Sequence, residues 1–242
     1  MEKREKLAQM IQESDNIVFF GGAGVSTESE IPDFRSPEGL YSIRQEYSHP
    51  AEVILSHSFF MRNPKEFYRF HKSKMIYPDA KPNKAHLALA KLEEMGKLKA
   101  VITQNIDGLH QMAGNRKVLE LHGSVHRNYC MKCSCSYDLD FILSSADVPG
   151  CVRCGGIVRP DVVLYEEGLD MGILNEAVDY ITNADILIVG GTSLTVYPAA
   201  GLIRYYRGDK LVLINREATS YDKDADLTFS EPIGEILGEI VL

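Results

Sequence analysis

Nowhere in this chain do eighteen apolar residues follow one another, so the sequence offers no membrane-spanning helix. The opening Met1-Glu2-Lys3-Arg4-Glu5-Lys6 lacks the apolar core of a signal peptide and reads as the start of an amphipathic helix. Positive charge is scarce too. A net charge of -8 and a pI near 5.4 tell against direct nucleic-acid binding through bulk charge, whereas a basic partner is tolerated. Internal repeats and low-complexity tracts are missing. Outside residues 130–154 there is no cysteine. Without a secretion signal, thiols bunched in this way point to metal rather than disulfides, and a monomer working in the cytoplasm is expected.

What is present fits one large or two small domains, since 242 residues are 45% hydrophobic and 25% charged. Ile17-Val18-Phe19-Phe20 is a continuous apolar run stopped by glycines, as a parallel strand buried on both faces should be. Ala100-Val101-Ile102, Val118 to Leu121, Ile186 to Val189, Lys210 to Ile214 and Asp226 to Phe229 read as further strands. Helices are expected over 2–14, Asn83 to Met95, 171–183, 198–207 and Ile233 to Leu242. Ile157 to Tyr165 reads as an extended segment that re-enters the larger part. The fold class is therefore α/β: a doubly wound, Rossmann-like, mostly parallel sheet of about six strands with an inserted small domain. Residues 1–35, 83–125 and 157–242 form the large domain. A helical module, 36–82, and a ribbon, 126–156, form the small one. Phe59, Phe60, Phe67 and Phe70 are expected in the module's core, and His86 and His110 in structural roles.

Four patterns carry chemistry. First, Gly22-Ala23-Gly24-Val25-Ser26-Thr27 follows the opening strand, and a glycine turn leading into a helix lets backbone N–H groups approach a pyrophosphate. Thr27 stands where a third glycine is usual, and the acidic ribose ligand expected about 20 positions on is missing, which disfavours a plain dehydrogenase. Second, Ile31-Pro32-Asp33-Phe34-Arg35 reads either as a flap over a bound cofactor or as a turn with a surface ion pair. Third, Thr103-Gln104-Asn105-Ile106-Asp107 ends one strand and His122-Gly123 ends the next, so amides, a carboxylate and an imidazole meet where open α/β sheets bind ligands. Thr192-Ser193 after a later strand suits phosphate or ribose, or caps a helix. Fourth, Cys130-x-x-Cys133 and Cys151-x-x-Cys154 have the spacing of a zinc ribbon. Four thiolates close the tetrahedron, so one zinc ion would fold the ribbon rather than catalyse. Cys135 is a fifth thiol that could exchange with Cys133.

In this order, these motifs, together with Gly191-Thr192-Ser193-Leu194-x-Val196-x-Pro198-Ala199, resemble those of the sirtuin family over residues 22 to 215. The resemblance implies NAD-dependent removal of acyl groups from protein lysines. Gly22, Ala23, Gly24, Thr27, Phe34 and Arg35 would line the NAD site, Phe34 shielding the reactive ribose carbon. Gln104 and Asn105 would hold the nicotinamide ribose and an ordered water, and Ile106 and Asp107 the nicotinamide pocket. Thr192, Ser193 and Asn215 would serve the phosphates and adenosine end, and Ile233 the adenine. The acyl oxygen would attack the ribose carbon, with His122 as general base on the ribose hydroxyl. Catalysis would thus rest on His122, Asn105 and Asp107. The products would be lysine, nicotinamide and O-acetyl-ADP-ribose.

The acetylated-lysine peptide or protein substrate would add as a strand between Val163-Leu164-Tyr165-Glu166-Glu167 and Thr195-Val196-Tyr197. Tyr165 and Glu166 depart from the family's Phe-Gly, and Glu30 from its Gly, which bears on peptide preference. Relatives that favour acidic acyl groups carry a Tyr-x-x-Arg pair. The matching stretch here is Phe70-His71-Lys72-Ser73, so neutral acyl groups, chiefly acetyl, are expected. Two rivals stay open: a protein ADP-ribosyltransferase on the same fold, and a non-catalytic zinc-ribbon binding module.

Overall fold

The computed structural model describes residues 2–34, 39–40 and 47–242. Arg35 and residues 36–38 and 41–46 of the helical module lie outside the described residues, so the role expected of Arg35 is not addressed by the structure. The strands are β1 (Ile17–Gly21), β2 (Leu98–Thr103), β3 (Val118–Glu120), β4 (Gly123–Cys130), β5 (Ser136–Tyr137), β6 (Val158–Val162), β7 (Ile186–Gly190), β8 (Leu211–Ile214) and β9 (Leu227–Phe229).

Alternate residues of β1 point to opposite faces of the sheet, and both faces are covered. Ile17 and Phe19 pack with Leu89, Ile236 and Leu237 on one side. Val18 and Phe20 pack with Ile181, Ala200 and Leu202 on the other. The continuous apolar run is thereby explained: each side chain that leaves water contributes about 1.5–3 kcal/mol, and no face of β1 is left to solvent. Six strands lie in the order β3-β2-β1-β7-β8-β9, and every neighbouring pair is parallel. From β1 the chain runs outward to β2 and β3, then returns to β7 on the other side of β1. The order reverses there, which opens a crevice at the carboxyl ends of β1 and β7.

The helix Lys84–Glu94 starts at a side-chain cap. The Asn83 side-chain oxygen accepts the Ala85 N–H at 2.9 Å, and His86 Nδ1 accepts the Asn83 N–H at 3.2 Å. His86 is therefore structural. So is His110, buried with its ring centroid 4.7 Å from that of His86. The helices Met171–Asn183 and Ile233–Val241 stand where periodicity placed them. Phe59, Phe60, Phe67 and Phe70 form a core with Val125, Val158 and Leu164.

Three local expectations change. The glycine turn leads not into an α-helix but into two short 3-10 turns, Ala23–Val25 and Thr27–Ser29. Glu30 then takes a left-handed φ of 63°, and Pro32 disfavours helical backbone in the residue before it. Residues 199–205 are likewise a 3-10 helix. Val158–Val162 is extended, but its partner is β4: together with β5 these strands form a separate antiparallel sheet in the order β5-β4-β6. At the junction, Gly123 has φ 77° and its Cα faces the Asp161 backbone so closely that a Cβ would sit 1.9 Å from that carbonyl oxygen. Only glycine lets β4 start directly after His122.

Candidate active site and metal centre

Two glycine turns cross at the crevice. The Gly24 N–H donates to the Gly191 carbonyl at 2.8 Å, and a Cβ on Gly24 would lie 2.8 Å from the Gly191 Cα. The loops after β1 and β7 thus touch backbone to backbone. Around them lies a cavity of about 940 Å³. Every NAD or peptide contact expected from the sequence, apart from Arg35, lines it: Gly22, Ala23, Gly24, Thr27, Phe34, residues 104–107, His122, Thr192, Ser193, Asn215 and Ile233, with Val163, Leu164, Tyr165 and Val196.

The strand ends are tied to one another by side chains. Gln104 donates to Thr192 Oγ1 at 3.0 Å, and the Thr192 N–H donates to the Asn215 side-chain oxygen at 2.9 Å. Ile233 reaches the same floor, since a Cβ on Gly190 would strike its Cδ1 at 2.3 Å. Glu28 accepts the Gly234 N–H at 2.9 Å, joining the first turn to the start of the last helix.

Ser26 is a polar contact that sequence reasoning passed over. Its hydroxyl donates to Asp107 at 2.7 Å and accepts from the Asn105 amide at 3.0 Å. It sat in full view within Gly22-Ala23-Gly24-Val25-Ser26, but only the fold shows that this turn faces residues 105 and 107. The other Asp107 oxygen accepts the Leu109 N–H at 2.9 Å. Burial raises the Asp107 carboxyl above its usual value, opposed by these two donors.

His122 has an assignable tautomer. Its Nδ1 lies 3.0 Å from the Gln104 carbonyl, which can only accept, so Nδ1 carries the proton and the Nε2 lone pair is left for a substrate. Burial lowers its pKa below the ordinary 6.5, partly offset by that carbonyl. The ring is neutral at pH 7, as a base must be.

The cysteines meet away from this cavity. The four sulfurs of Cys130, Cys133, Cys151 and Cys154 lie within 4.8 Å of one another. A tetrahedron with Zn–S bonds of about 2.3 Å spaces its sulfurs by about 3.8 Å, so the donor set fits one zinc ion. Two knuckles build it: the Ser134 N–H donates to the Cys130 carbonyl at 2.9 Å, and the Gly155 N–H to the Cys151 carbonyl at 2.8 Å. The Tyr137 hydroxyl adds a bond to Cys151 Sγ at 3.1 Å. Cys135 stays outside the cluster, with its sulfur directed at the Ser136 carbonyl.

Fold and site together define an enzyme built on a dinucleotide-binding doubly wound sheet, with a small zinc-stapled sheet beside it. The Sir2 family model matches residues 22–198, and the chain belongs to that family. An NAD-dependent protein deacetylase of Clostridium tetani is 62% identical over 242 residues, covering 100% of this chain and 98% of the relative. One from Clostridium acetobutylicum is 59% identical over 242 residues, covering 100% and 99%. A solved Sir2 bound to acetylated peptide has a TM-score of 0.86 at 41% identity, covering 98% of this chain and 97% of that one. A Sir2–p53 peptide–NAD+ structure gives 0.86 at 42%, with the same coverage.

Proposed function

We infer that the chain is an NAD-dependent protein deacetylase that acts on acetylated lysine in peptides or proteins and releases nicotinamide and O-acetyl-ADP-ribose. The observation that carries this is the free Nε2 of His122, which shares one cavity with the crossed glycine turns and with the Val163–Tyr165 segment. The acidic charge suits protein substrates rather than nucleic acid. Five cysteines free of disulfides suit the reducing cytoplasm.

The residues divide the work. The Ala23 N–H, which unlike those of Gly22, Gly24, Val25 and Ser26 is not spent on a backbone carbonyl among the described residues, and the Thr192–Asn215 pair hold the phosphates and adenosine end of NAD. Gln104 and Asn105 orient the nicotinamide ribose. Asp107, fixed by Ser26 and the Leu109 N–H, accepts a hydrogen bond from the carboxamide. Phe34 excludes water from the reacting carbon. His122 Nε2 takes a proton from the ribose hydroxyl, and the Gln104 carbonyl steadies the imidazolium that results. The zinc ion, when bound, supplies structure only, held by four cysteines with no open position.

Asp107→Asn keeps the shape and removes the charge. A hydrogen bond to a charged group contributes roughly 1.5–3 kcal/mol, so nicotinamide exchange should fall by about ten- to a hundredfold. Binding of acetyl-lysine peptide should barely change. Exchange of labelled nicotinamide into NAD at wild-type rate would sink this assignment.

Acyl preference follows from the helical module. His71 lines the cavity, and burial pushes its pKa down to about 4, so it presents a neutral ring at pH 7. Lys74, on the next turn, is already partnered. An acyl carboxylate entering this apolar end would lose its hydration uncompensated. Mass spectrometry of acetyl- and succinyl-lysine peptides with NAD should show O-acetyl-ADP-ribose, and desuccinylation roughly tenfold or more slower. Faster desuccinylation would reverse the assignment.

A further inference from the structure

Between β6 and the helix Met171–Asn183 the chain runs through Val163–Glu167, and Tyr165, Glu166 and Glu167 each bond residues 55–58 of the helical module. The Tyr165 N–H donates to the Leu55 carbonyl, and the Tyr165 carbonyl accepts the His57 N–H, both at 3.0 Å. Glu166 takes a left-handed φ of 77°, and its carboxylate receives the Ser58 N–H at 2.9 Å and the Ser58 hydroxyl at 3.0 Å.

Glu167 is the centre of this attachment. Arg159 on β6, itself 8% exposed, grips both its oxygens, at 2.7 and 3.0 Å. The same carboxylate folds back to accept the Leu164 N–H at 3.0 Å, and His57 Nδ1 lies 2.7 Å away. Arg159 is fixed in turn: it donates to the carbonyls of Pro160 and Val162 and lies near the Phe60 and Tyr129 rings. Burial opposes the charge on Glu167, but Arg159, the Leu164 N–H and His57 together hold its pKa at about 2. The carboxylate stays ionised at every pH at which the enzyme works.

A carboxylate this heavily engaged does more than close a turn. Bidentate guanidinium–carboxylate geometry fixes orientation as well as distance. Because Glu167 bonds the Leu164 N–H, the orientation set at Arg159 is imposed on the two residues between. We propose that Glu167, gripped by Arg159, is a positioning residue that sets the register of Val163–Glu166, so that the Val163 carbonyl and the Glu166 N–H, main-chain groups there not spent on bonds to described residues, meet the acetyl-lysine peptide in the bonding phase. This deepens the substrate reading given above and rests on it.

The test separates the two. Hydrogen exchange on the wild-type enzyme asks whether acetyl-lysine peptide protects the Glu166 amide, since those of residues 163–165 are already bonded to His122, Glu167 and Leu55. No protection removes the substrate reading, whatever the variants do. Steady-state kinetics of Glu167→Gln and Arg159→Lys then test positioning. Glu167→Gln keeps the side-chain length and loses the charge, and Arg159→Lys keeps the charge and loses the fork. We expect the peptide KM to rise about tenfold in each, with kcat at saturating peptide and the NAD KM within about threefold of wild type. A clamp that merely stabilised the fold would lower the melting temperature and move kcat and both KM values together. That pattern, or a protected Glu166 amide with an unchanged peptide KM, would overturn the proposal. Should Arg159→Lys fail to fold, Glu167→Gln decides alone, since its amide oxygen can still accept the Leu164 N–H.

Discussion

His122→Ala is expected to cut deacetylation by roughly 10²–10⁴-fold, the usual contribution of a positioned general base. Peptide binding should survive, because the substrate segment meets residue 122 through the backbone, the Val163 N–H donating to its carbonyl at 3.0 Å. The pH profile gives a second reading of the same residue. Proton abstraction needs the neutral ring, and burial lowers the His122 pKa. The neutral fraction therefore persists to lower pH, and the acidic limb of the wild-type rate should fall below the ordinary 6.5. An acidic limb above that value would contradict the buried tautomer. His122→Tyr separates the deacetylase from its nearest rival. A protein ADP-ribosyltransferase needs the NAD site without this base, so ADP-ribosyl transfer retained as deacetylation disappears would favour the rival.

Removing zinc is expected to be equally severe by a different route. Structural zinc sites of this kind release roughly 10–16 kcal/mol on binding at neutral pH, comparable to the whole stability of a domain. The affected region should be the β5-β4-β6 sheet, because Cys130 ends β4 and the second knuckle precedes β6. The six-stranded parallel sheet carries its own core on both faces and should keep its structure. Activity should nonetheless be lost. The start of β4 pairs Gly123 with Val162, and those two strands carry His122 and the substrate segment at their ends. Chelation followed by hydrogen exchange checks this: amides of 128–130, 158, 159, 161 and 162 should lose protection while those of β1 and β7 keep it. Unchanged exchange in the metal-free protein would show that the four cysteines are not what holds the ribbon.

The main sheet was legible because its physics is local. An apolar run with no polar alternation, stopped by glycine, says that a strand is covered on both sides, and Ile17–Gly21 and Ile186–Gly190 are so covered. The paired cysteines were legible because ligand spacing is a property of the chain itself. Ser26 was not. Its importance arises from a contact across 81 residues to Asp107, and nothing in Gly-Val-Ser announces that partner. Glu167 stands in the sequence only as the end of the expected substrate segment, and its tie to Arg159 is hidden for the same reason: nothing in the sequence announces that partner on β6. The 3-10 turns after β1 were missed because a glycine turn ordinarily opens an α-helix, and the override lies in Glu30 and Pro32 just beyond.

The crossing of Gly24 and Gly191 has a bearing on redesign. Two main chains in direct contact leave no side chain to exchange, so anyone seeking to retune this enzyme for an altered dinucleotide has no adjustable part at this crossing, where the pyrophosphate is proposed to lie. The adjustable surface is the rim, where Arg216, Glu217 and Ile233 line the same cavity. A library restricted to those three positions would sample cofactor analogues while keeping the Thr192–Asn215 pair and the crossed turns intact.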